Sequence, residues 1–266
     1  MKFARFEHHG NIYNGMADAD WIAVIEGHFW TDFAVTDQKY PISEIKLLPP
    51  VMPTKIVCVG QNYRGHIEEL GMPVPKEPII FFKPPSCLVG HEQNIIYHRD
   101  AERIDYEGEL AIVIKDKMRH VDEGKTLNHV LGYTCFNDVT ERKMVGSNPL
   151  LLSIAKGFDT FGPVGPYIVT DLDPNRLTLK TYLNGELKQQ DAAANCVFSV
   201  QRVLSFISRY MTLLPGDIVT TGTPQGIAPI QPGDTVEVEI EGIGRLKNVV
   251  QPESESGQIR CGRDIK

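Results

Sequence analysis

Two glutamates placed two residues apart, Glu107 and Glu109, are the first candidates for chemistry in this sequence. On a β-strand, side chains at this spacing point to the same face of the sheet. The apolar run Leu110–Ile114 follows at once and indicates a strand that is buried on both faces. Carboxylates at the mouth of such a strand are costly to bury unless a cation neutralises them. Asp138, after another apolar stretch, adds a third carboxylate, and three carboxylates without a thiolate suit Mg²⁺, Mn²⁺ or Ca²⁺.

The spacing alone supports a second interpretation equally well, in which Arg142 or lysines pair with these carboxylates. The chain also holds a second stripe with the same spacing, because Glu237, Glu239 and Glu241 alternate with valine and isoleucine. That alternation predicts an ordinary strand with one face in water. The earlier pair differs because Gly108 separates its two members, and a glycine inside a strand often marks the close approach of a backbone or a ligand.

His66 and Glu69 form another candidate pair, three residues apart in a segment with helical character. Side chains at this spacing are neighbours on a helix, and a histidine oriented by a carboxylate is a general base near neutral pH. Glu68 has an equal claim to be the partner, and most isolated pairs of this kind lie on the surface. The glycines between Gly60 and Gly71 predict a mobile lid around the pair.

Two loops add further polar groups. Lys156 precedes a loop of turn-forming residues with two aromatics, where a lone lysine is usually solvated. The segment Thr220–Gly226 offers hydroxyls, backbone amides and glycines after a strand; it suits a bound carboxylate and a plain turn equally well. The chain contains no phosphate-binding GxxxxGK[ST] or GxGxxG motif, no GxSxG elbow and no HExxH helix. The sequence therefore argues against a serine hydrolase of the GxSxG type and against a zinc protease of the HExxH type.

Composition limits the classes of partner. Of the 266 residues, 42% are hydrophobic and 23% charged, which is typical of a globular protein with a sizeable core. Lys and Arg number 27 against 34 for Asp and Glu, and no basic run occurs, so we expect no nucleic-acid partner. The five scattered cysteines form no CxxC pair, which argues against a disulfide framework or a thiolate zinc site. With neither a signal-like start nor a long apolar stretch, the sequence predicts a cytoplasmic protein with no membrane partner.

Strand signals dominate the chain, and helix signals are few. Without regular βαβ alternation, this pattern predicts a mixed β (α+β) fold. A proline-rich stretch at 49–53 predicts a small N-terminal β domain over 1–50, a main domain over 51–251 and a loose polar tail over 252–266. The predicted elements are strands at Lys2–Phe6, Trp21–Ile25, Phe29–Phe33, Lys55–Val59, Ile79–Phe82, Tyr106–Ile114, Gly132–Phe136, Tyr167–Thr170, Leu177–Leu183, Asp217–Thr221 and Asp234–Ile240, a type I′ hairpin turn at Asn184–Gly185, helical turns within Asn62–Leu70 and a helix over Ser199–Met211 with Ser199 as N-cap.

Taken in order, these motifs resemble the fumarylacetoacetate hydrolase family. Each motif is weak by itself, but the ordered set is specific and covers the chain from Lys55 to Val250. The matching segments are Val59–Tyr63 with His66 and Glu69, Phe82–Pro84, Asp105–Leu110, Gly132–Thr134, Asn137–Thr140 with Arg142, Lys156–Asp159, Gly162–Pro163, Leu183–Gly185, Gly216–Asp217 and Gly222–Gly226.

The resemblance implies a β-sandwich roll with few helices, usually assembled as a homodimer, that binds a divalent cation and acts on 2-oxo or 1,3-dioxo acids. The residues that match the family's site are Glu107, Glu109 and Asp138 as metal ligands, His66 and Glu69 as the pair that activates water, Lys156 as the catalytic lysine, and Arg142, Thr223 and Gln225 as substrate-binding residues.

These implications predict a metal-dependent hydrolase that cleaves C–C bonds of acylpyruvate-type acids. The expected cation is Mg²⁺ or Mn²⁺, with Ca²⁺ as a further candidate. The cation would stabilise a pyruvate enolate while His66 and Glu69 activate water. One position departs from the family: many members carry glutamine where this chain has Val145, three residues after Arg142. An amide there can bind a polar end of the substrate, so valine favours an apolar acyl chain.

Three alternatives stay open at this point. The first is a lyase or isomerase of the same fold, such as an oxaloacetate decarboxylase or a 2-hydroxyhepta-2,4-diene-1,7-dioate isomerase. The second is a metal-stabilised binding protein without turnover, although such a protein needs none of His66, Glu69 and Lys156. The third is a metal-free β protein in which Glu107 and Glu109 pair with lysines.

Overall fold

The computed structural model describes residues 1–254, and strands dominate it. In chain order the strands are β1 (Lys2–His8), β2 (Asn11–Ala17), β3 (Trp21–Gly27), β4 (Phe33–Pro41), β5 (Lys46–Leu48), β6 (Ile56–Gly60), β7 (Ile79–Lys83), β8 (Leu88–Val89), β9 (Ile95–Tyr97), β10 (Ile104–Asp105), β11 (Gly108–Ile114), β12 (Val130–Asn137), β13 (Thr140–Glu141), β14 (Gly162–Val169), β15 (Thr178–Leu183), β16 (Glu186–Ala192), β17 (Ile218–Thr220), β18 (Thr235–Ile240) and β19 (Gly244–Pro252).

Helices are short, apart from one. The α-helices are α1 (Arg64–Glu69), α2 (Arg142–Ser147), α3 (Leu152–Ala155) and α4 (Val200–Tyr210), and short 3₁₀ turns lie at Ile42–Glu44, Pro85–Cys87, Glu123–His129, Pro149–Leu151, Pro174–Arg176 and Ala193–Asn195. In α4, Val203, Leu204 and Ile207 are buried on one face. The Ser199 side chain accepts a hydrogen bond from the backbone N–H of Arg202, so the predicted helix and its N-cap are confirmed.

Three sheets organise the described chain. The largest has twelve strands in the order β4-β3-β2-β1-β14-β12-β11-β17-β6-β7, with β5 beside β1 and β8 beside β14. A five-stranded sheet runs β16-β15-β18-β19-β9, and β10 pairs with β13. Because β1 pairs with β14, the N-terminal strands continue the sheet that carries β11 and β12. The mixed β fold with few helices is confirmed.

Strand β11 lies at the centre of the molecule, and each of its seven residues is buried. One face, with Ile112, packs in a core that includes Val238 of β18 and Leu204 of α4. The other face, with Val113, packs in a second core with Ile56 of β6. The predicted burial of this strand on both faces is therefore confirmed, and it explains why polar groups at its mouth are cut off from water.

The hairpin between β15 and β16 turns at Asn184 and Gly185, both with positive φ, as the sequence predicted. The predicted strand Phe29–Phe33 is wrong, because the chain turns there and β4 starts only at Phe33. Phe29 owes its burial to packing against Phe3, with ring centroids 5.0 Å apart, rather than to strand pairing.

Several predicted strand ends also shift. The strand predicted from Tyr106 begins at Gly108, and the one predicted from Tyr167 begins at Gly162. The expected loose tail is wrong at its first residue, because Pro252 ends β19 beside Tyr97, and residues 255–266 of that tail lie outside the described residues.

The described cysteines, Cys58, Cys87, Cys135 and Cys196, are all free thiols. Cys261 lies outside the described residues. Within residues 1–254, none of the helices combines the length and the apolar character that a membrane crossing requires.

Candidate active site

The three candidate metal ligands meet where β11 begins and β12 ends. These strands are antiparallel, with Gly108 opposite Asn137, so Glu107 and Glu109 lie beside Asp138. The backbone N–H of Asp138 donates to the carbonyl of Glu107 at 2.8 Å. One carboxylate oxygen from each of the three lies within 4.8 Å of the others. All three side chains are buried, so the fold concentrates negative charge at one point.

Gly108 permits this arrangement because the second sheet approaches it closely. A Cβ at this position would collide with the hydroxyl of Thr181 on β15. The Gly108 N–H donates to the side-chain oxygen of Gln189 at 3.1 Å. Glu109 is fixed from the other side by the N–H of Gly222, 2.9 Å from its Oε2. The glycine between the glutamates therefore leaves room for the side chains of Thr181 and Gln189 from the second sheet.

Cationic side chains surround the three carboxylates. Lys156 Nζ donates to Glu107 Oε2 at 2.7 Å and to Asp138 Oδ2 at 2.6 Å. Lys83 Nζ lies 2.8 Å from Asp138 Oδ1. Arg142 pairs with Glu107 through its Nη2. The ion pairs and a group of carboxylates that could hold a metal ion, which the sequence left as alternatives, thus occur in the same cluster.

Burial and ion pairing shift the pKa values in opposite directions. Burial would raise the pKa of Glu107, but the charges of Lys156 and Arg142 outweigh it and lower this pKa to about 2. Burial, reinforced by the charge of Asp138, raises the pKa of Glu109 well above its ordinary value. Burial would lower the pKa of Lys156, yet Asp138 and Glu107 hold it above its ordinary value. These two carboxylates therefore favour the protonated, positively charged form of Lys156.

The donor atoms fit a hard divalent cation. All are carboxylate oxygens, the ligands that Mg²⁺, Mn²⁺ and Ca²⁺ prefer. Asp138 Oδ1 is buried and makes no hydrogen bond within residues 1–254, although Lys83 lies near it as an ion-pair partner. A bound cation would oppose the raised pKa of Glu109, because it favours the carboxylate form that burial and the charge of Asp138 disfavour.

Helix α1 places a histidine over the carboxylates. His66 Nδ1 lies 2.9 Å from Glu69 Oε2, so Glu69 rather than Glu68 is the partner. The second oxygen of Glu69 accepts the N–H of Gly226 at 3.0 Å and links the helix to the Thr220–Gly226 loop. Ile67 is buried beneath the helix, an apolar anchor that the sequence analysis did not assign.

The carboxylate cluster and His66 line one cavity of about 210 Å³. Thr223 also lines it, but its hydroxyl already donates to the Gly108 carbonyl at 2.8 Å and accepts from Gln189 at 2.9 Å. Gln225 is exposed and is not part of the lining; its side chain lies against Gly65. The structure thus brings together every predicted site residue except Gln225, with Glu69 just behind His66.

Three supporting residues escaped the sequence analysis. Lys83 ends an apolar strand, and a charged residue at the end of such a run could have indicated that its side chain is buried at a site. The buried side chain of Asn62 donates to the carbonyl of Thr221 at 2.8 Å and joins the start of the lid to the loop behind Glu109. The hydroxyl of Tyr106 donates to the Gly226 carbonyl at 2.8 Å and so steadies the residue that bonds Glu69.

Comparison with known proteins assigns the chain to a family. Residues 55–251 match the family described as "Fumarylacetoacetate (FAA) hydrolase C-terminal", and residues 1–50 match "Rv2993c-like, N-terminal". The chain belongs to the fumarylacetoacetate hydrolase family. The resemblance stated from the motifs is confirmed.

Relatives from distant organisms align over most of the chain. A protein of Archaeoglobus fulgidus is 44% identical over 258 residues, which are 97% of this chain and 98% of that protein. The mitochondrial oxaloacetate tautomerase FAHD2B of Bos taurus is 40% identical over 222 residues, or 79% of this chain and 71% of that protein. The family therefore includes at least one member named for tautomerisation.

Solved structures share the fold. The 2-hydroxyhepta-2,4-diene-1,7-dioate isomerase from Mycobacterium marinum has a TM-score of 0.89 and 37% identity, covering 96% of this chain and 100% of that one. The maleylpyruvate hydrolase from Sphingobium sp. SYK-6, solved with manganese(II) and pyruvate, has a TM-score of 0.79 and 27% identity, covering 95% and 99%. Isomerases and hydrolases thus both occur on this fold.

Proposed function

We propose that the protein hydrolyses the C–C bond of acylpyruvate-type 1,3-dioxo acids and releases pyruvate and a carboxylic acid. The observation that carries the proposal is the single cavity in which His66, oriented by Glu69, faces Glu107, Glu109 and Asp138. The manganese and pyruvate in the related maleylpyruvate hydrolase support it. Of the hard cations, we propose Mg²⁺ or Mn²⁺, held by the three carboxylates.

A bound cation would supply a Lewis acid that stabilises negative charge on the substrate. The net charge of the site is compatible with a bound dication and an anionic substrate. Glu107, Glu109 and Asp138 are formally balanced by Lys83, Lys156 and Arg142. A dication therefore leaves an excess of positive charge, and a substrate that carries a carboxylate and develops an enolate matches it.

His66 is the base of the proposed reaction. Because Glu69 occupies Nδ1, Nε2 is the ring nitrogen left to take a proton from water. The resulting hydroxide adds to the distal carbonyl carbon of the substrate. The bond from that carbon to the methylene carbon then breaks, and its electron pair forms the enolate of pyruvate. His66 returns the proton to the methylene carbon, so one water is consumed and the products are pyruvate and the acid.

Lys156 and Arg142 contribute fixed positive charge. The raised pKa of Lys156 keeps its ammonium group protonated, and burial against Glu107 and Asp138 holds it in one place. Preorganised charge of this kind stabilises a developing anion without a cost of reorganisation during the reaction. Arg142 is held by Asp105 Oδ2, 3.1 Å from its Nε.

A second candidate is proton transfer without water, as in the tautomerisation of oxaloacetate. The name of the 40% identical Bos taurus relative favours it. His66 would then move a proton between carbon and oxygen of the substrate, and no C–C bond would break. Decarboxylation of oxaloacetate and isomerisation of a dienoate diacid are the further reactions that this site has to be tested against.

We propose a homodimer mainly because the family resemblance implies one, and two-fold closure is the commonest symmetry of soluble homo-oligomers. Light scattering on the 29.8 kDa chain should report twice that mass. A monomeric mass at micromolar concentration would contradict it.

The reaction is tested with butyrylpyruvate and Mn²⁺-loaded protein in isotopically labelled water. We expect pyruvate and butyrate in equal amounts, with one labelled oxygen in the butyrate. Chelation should stop the reaction, and added Mn²⁺ should restore it. Absence of cleavage for every acylpyruvate tried, or full activity after chelation, would reject the proposed function.

A further inference from the structure

The carboxylate of Glu69 is held at both of its oxygens. Within residues 1–254 it makes two hydrogen bonds: Oε2 lies 2.9 Å from His66 Nδ1, and Oε1 accepts the backbone N–H of Gly226 at 3.0 Å. The side chain is 32% exposed, so packing alone does not hold it in place. The orientation of the carboxylate therefore depends on these two contacts.

Gly226 donates to Glu69 from a backbone that is held on two sides. Its φ is +100°, in the left-handed region that favours glycine, and a Cβ at this position would collide with the backbone carbonyl of Lys188 on β16. The hydroxyl of the buried Tyr106 donates to the Gly226 carbonyl at 2.8 Å. The Gly226 N–H is therefore a donor in a fixed position, and the atom that faces it has to be an acceptor.

The other oxygen of Glu69 determines which ring nitrogen of His66 carries the proton. An ionised carboxylate has no proton to donate, so His66 Nδ1 donates to it and Nε2 is left as the acceptor. Nε2 is the atom that the proposed reaction uses as the base. An amide in place of the carboxylate would offer one acceptor and one donor, so its orientation would decide the tautomer.

We propose that Gly226 and Tyr106 are positioning residues that select the tautomer of His66 through Glu69. Neither Gly226 nor Tyr106 lines the cavity, so both act through the carboxylate. The inference rests on the proposed function only in taking Nε2 as the base, because the tautomer is a property of the protein without substrate.

Glu69→Gln tests the proposal, because this variant keeps the size of the side chain but has only one acceptor oxygen. The Gly226 N–H should hold that oxygen, which turns the amide NH₂ toward His66 Nδ1. Nδ1 then accepts, and the proton of the neutral ring moves to Nε2. NMR of Mg²⁺-loaded protein with ¹⁵N-labelled histidine reads the tautomer, and His66→Ala identifies the signals. We expect Nδ1–H in wild type and Nε2–H in Glu69→Gln.

The kinetics should follow the tautomer. With Nε2 protonated the base is lost, so kcat for butyrylpyruvate should fall by about 10²–10⁴-fold in Glu69→Gln while KM changes little. Glu69→Ala leaves the ring free to populate both tautomers, so it should keep several-fold more activity than Glu69→Gln. A merely structural role of Glu69 predicts the opposite order, with glutamine as the milder change.

Tyr106→Phe tests the support of Gly226. Loss of the hydroxyl frees the Gly226 carbonyl, so kcat should fall several-fold while KM and Mn²⁺ affinity stay unchanged. Tyr97→Phe is the matched control, because the Tyr97 hydroxyl also donates to a backbone carbonyl, that of Glu102 at 3.3 Å. This control should leave kcat unchanged, and equal kcat for Tyr106→Phe and wild type would contradict the role of Tyr106.

Two results would overturn the inference as a whole. One is an Nδ1–H ring in Glu69→Gln, and the other is higher activity of Glu69→Gln than of Glu69→Ala, since in both cases Gly226 has not fixed the amide. If butyrylpyruvate is not hydrolysed by wild type but the tautomer inverts in Glu69→Gln, the proposed reaction is wrong and the selection of the tautomer stands. If butyrylpyruvate is hydrolysed and the tautomer is the same in both proteins, the inference alone is wrong.

Discussion

Glu107 and Glu109 at β11 and Glu237 and Glu239 on β18 share one spacing, yet they lie in different environments. The first two are buried, whereas the side chains of the second two are partly exposed, at 15% and 30%. The residue between the two glutamates also differs. It is Gly108 in the first pair, where side chains of the second sheet approach the backbone closely, and a valine in the pair on β18. The spacing is equal, but the surroundings are not.

The difference arises from the packing on the sheet face that carries the glutamates. On β18, the buried valines and isoleucine face the core and the glutamates face outward, where Arg245 Nε donates to Glu239 at 2.8 Å. Both faces of β11 are covered, so its glutamates point into the protein, toward Lys156 and Arg142. Alternation alone identifies a strand face, and only tertiary packing decides whether that face is a site.

Removing the residue beside each stripe should give the largest contrast. His66→Ala removes the proposed base, so kcat for butyrylpyruvate should fall by about 10²–10⁴-fold while Mn²⁺ affinity is unchanged. Arg245→Ala, which removes the neighbour of the exposed stripe, should leave kcat unchanged. Steady-state kinetics and Mn²⁺ titration measure both. Equal kcat for His66→Ala and wild type would remove His66 from the mechanism.

Neutralising one glutamate of each stripe should separate them by metal affinity. Glu107→Gln should weaken Mn²⁺ binding by at least about 10²-fold, since even residues that only support metal ligands contribute 10–100-fold. Glu237→Gln should leave the affinity unchanged, because its side chain lies in the outward stripe. Calorimetric titration of the metal-free proteins measures this, and equal affinities in the two variants would contradict a metal site at Glu107.

The pH dependence of stability should distinguish the two members of the buried pair. In chelator, Glu107, whose pKa is lowered to about 2, stabilises the fold above its ordinary value of 4.5, and this is lost as the pH falls through 2. Glu109, whose pKa is raised, penalises the fold as the pH rises above 4.5.

Denaturant unfolding across this pH range tests these signs. The stability of wild type relative to Glu107→Gln should fall as the pH falls. The stability of wild type relative to Glu109→Gln should instead fall as the pH rises above 4.5, so that the variant becomes the more stable protein. The same sign for both would contradict the opposed environments of the pair.

The exposed stripe should give the smallest effect. Glu239→Gln breaks a surface pair with Arg245, so the free energy of unfolding should change by about 0–1 kcal/mol, and less at high salt. Thermal unfolding at two salt concentrations measures it. A loss of several kcal/mol would show that this stripe is not the exposed reference that the comparison requires.

Local patterns in the sequence predicted those parts of the fold that local chemistry determines. The apolar run of β11, the capped helix α4 and the turn at Asn184 follow from residue type and spacing. Spacing also predicted a carboxylate beside His66 within one helix, but it left Glu68 and Glu69 as equal candidates, and the resemblance to the family selected Glu69. These features need no knowledge of the rest of the chain.

Contacts between distant segments could not be predicted in this way. Lys83 at the end of β7 lies 2.8 Å from Asp138, although three strands separate β7 from β12 in the sheet order. Glu69 meets Gly226 because the lid packs on a late loop. Phe29 reads as part of a strand until its packing against Phe3 is seen. Each depends on the sheet order, which residue spacing does not specify.

The central claim is that His66 activates water at this site, and one comparison of substrates tests it most directly. Initial rates are measured for Mn²⁺-loaded wild type and His66→Ala with butyrylpyruvate and with oxaloacetate. We predict that wild type cleaves butyrylpyruvate with the higher kcat/KM and that His66→Ala loses this activity. Faster turnover of oxaloacetate than of every acylpyruvate, at a rate that His66→Ala leaves intact, would contradict the account.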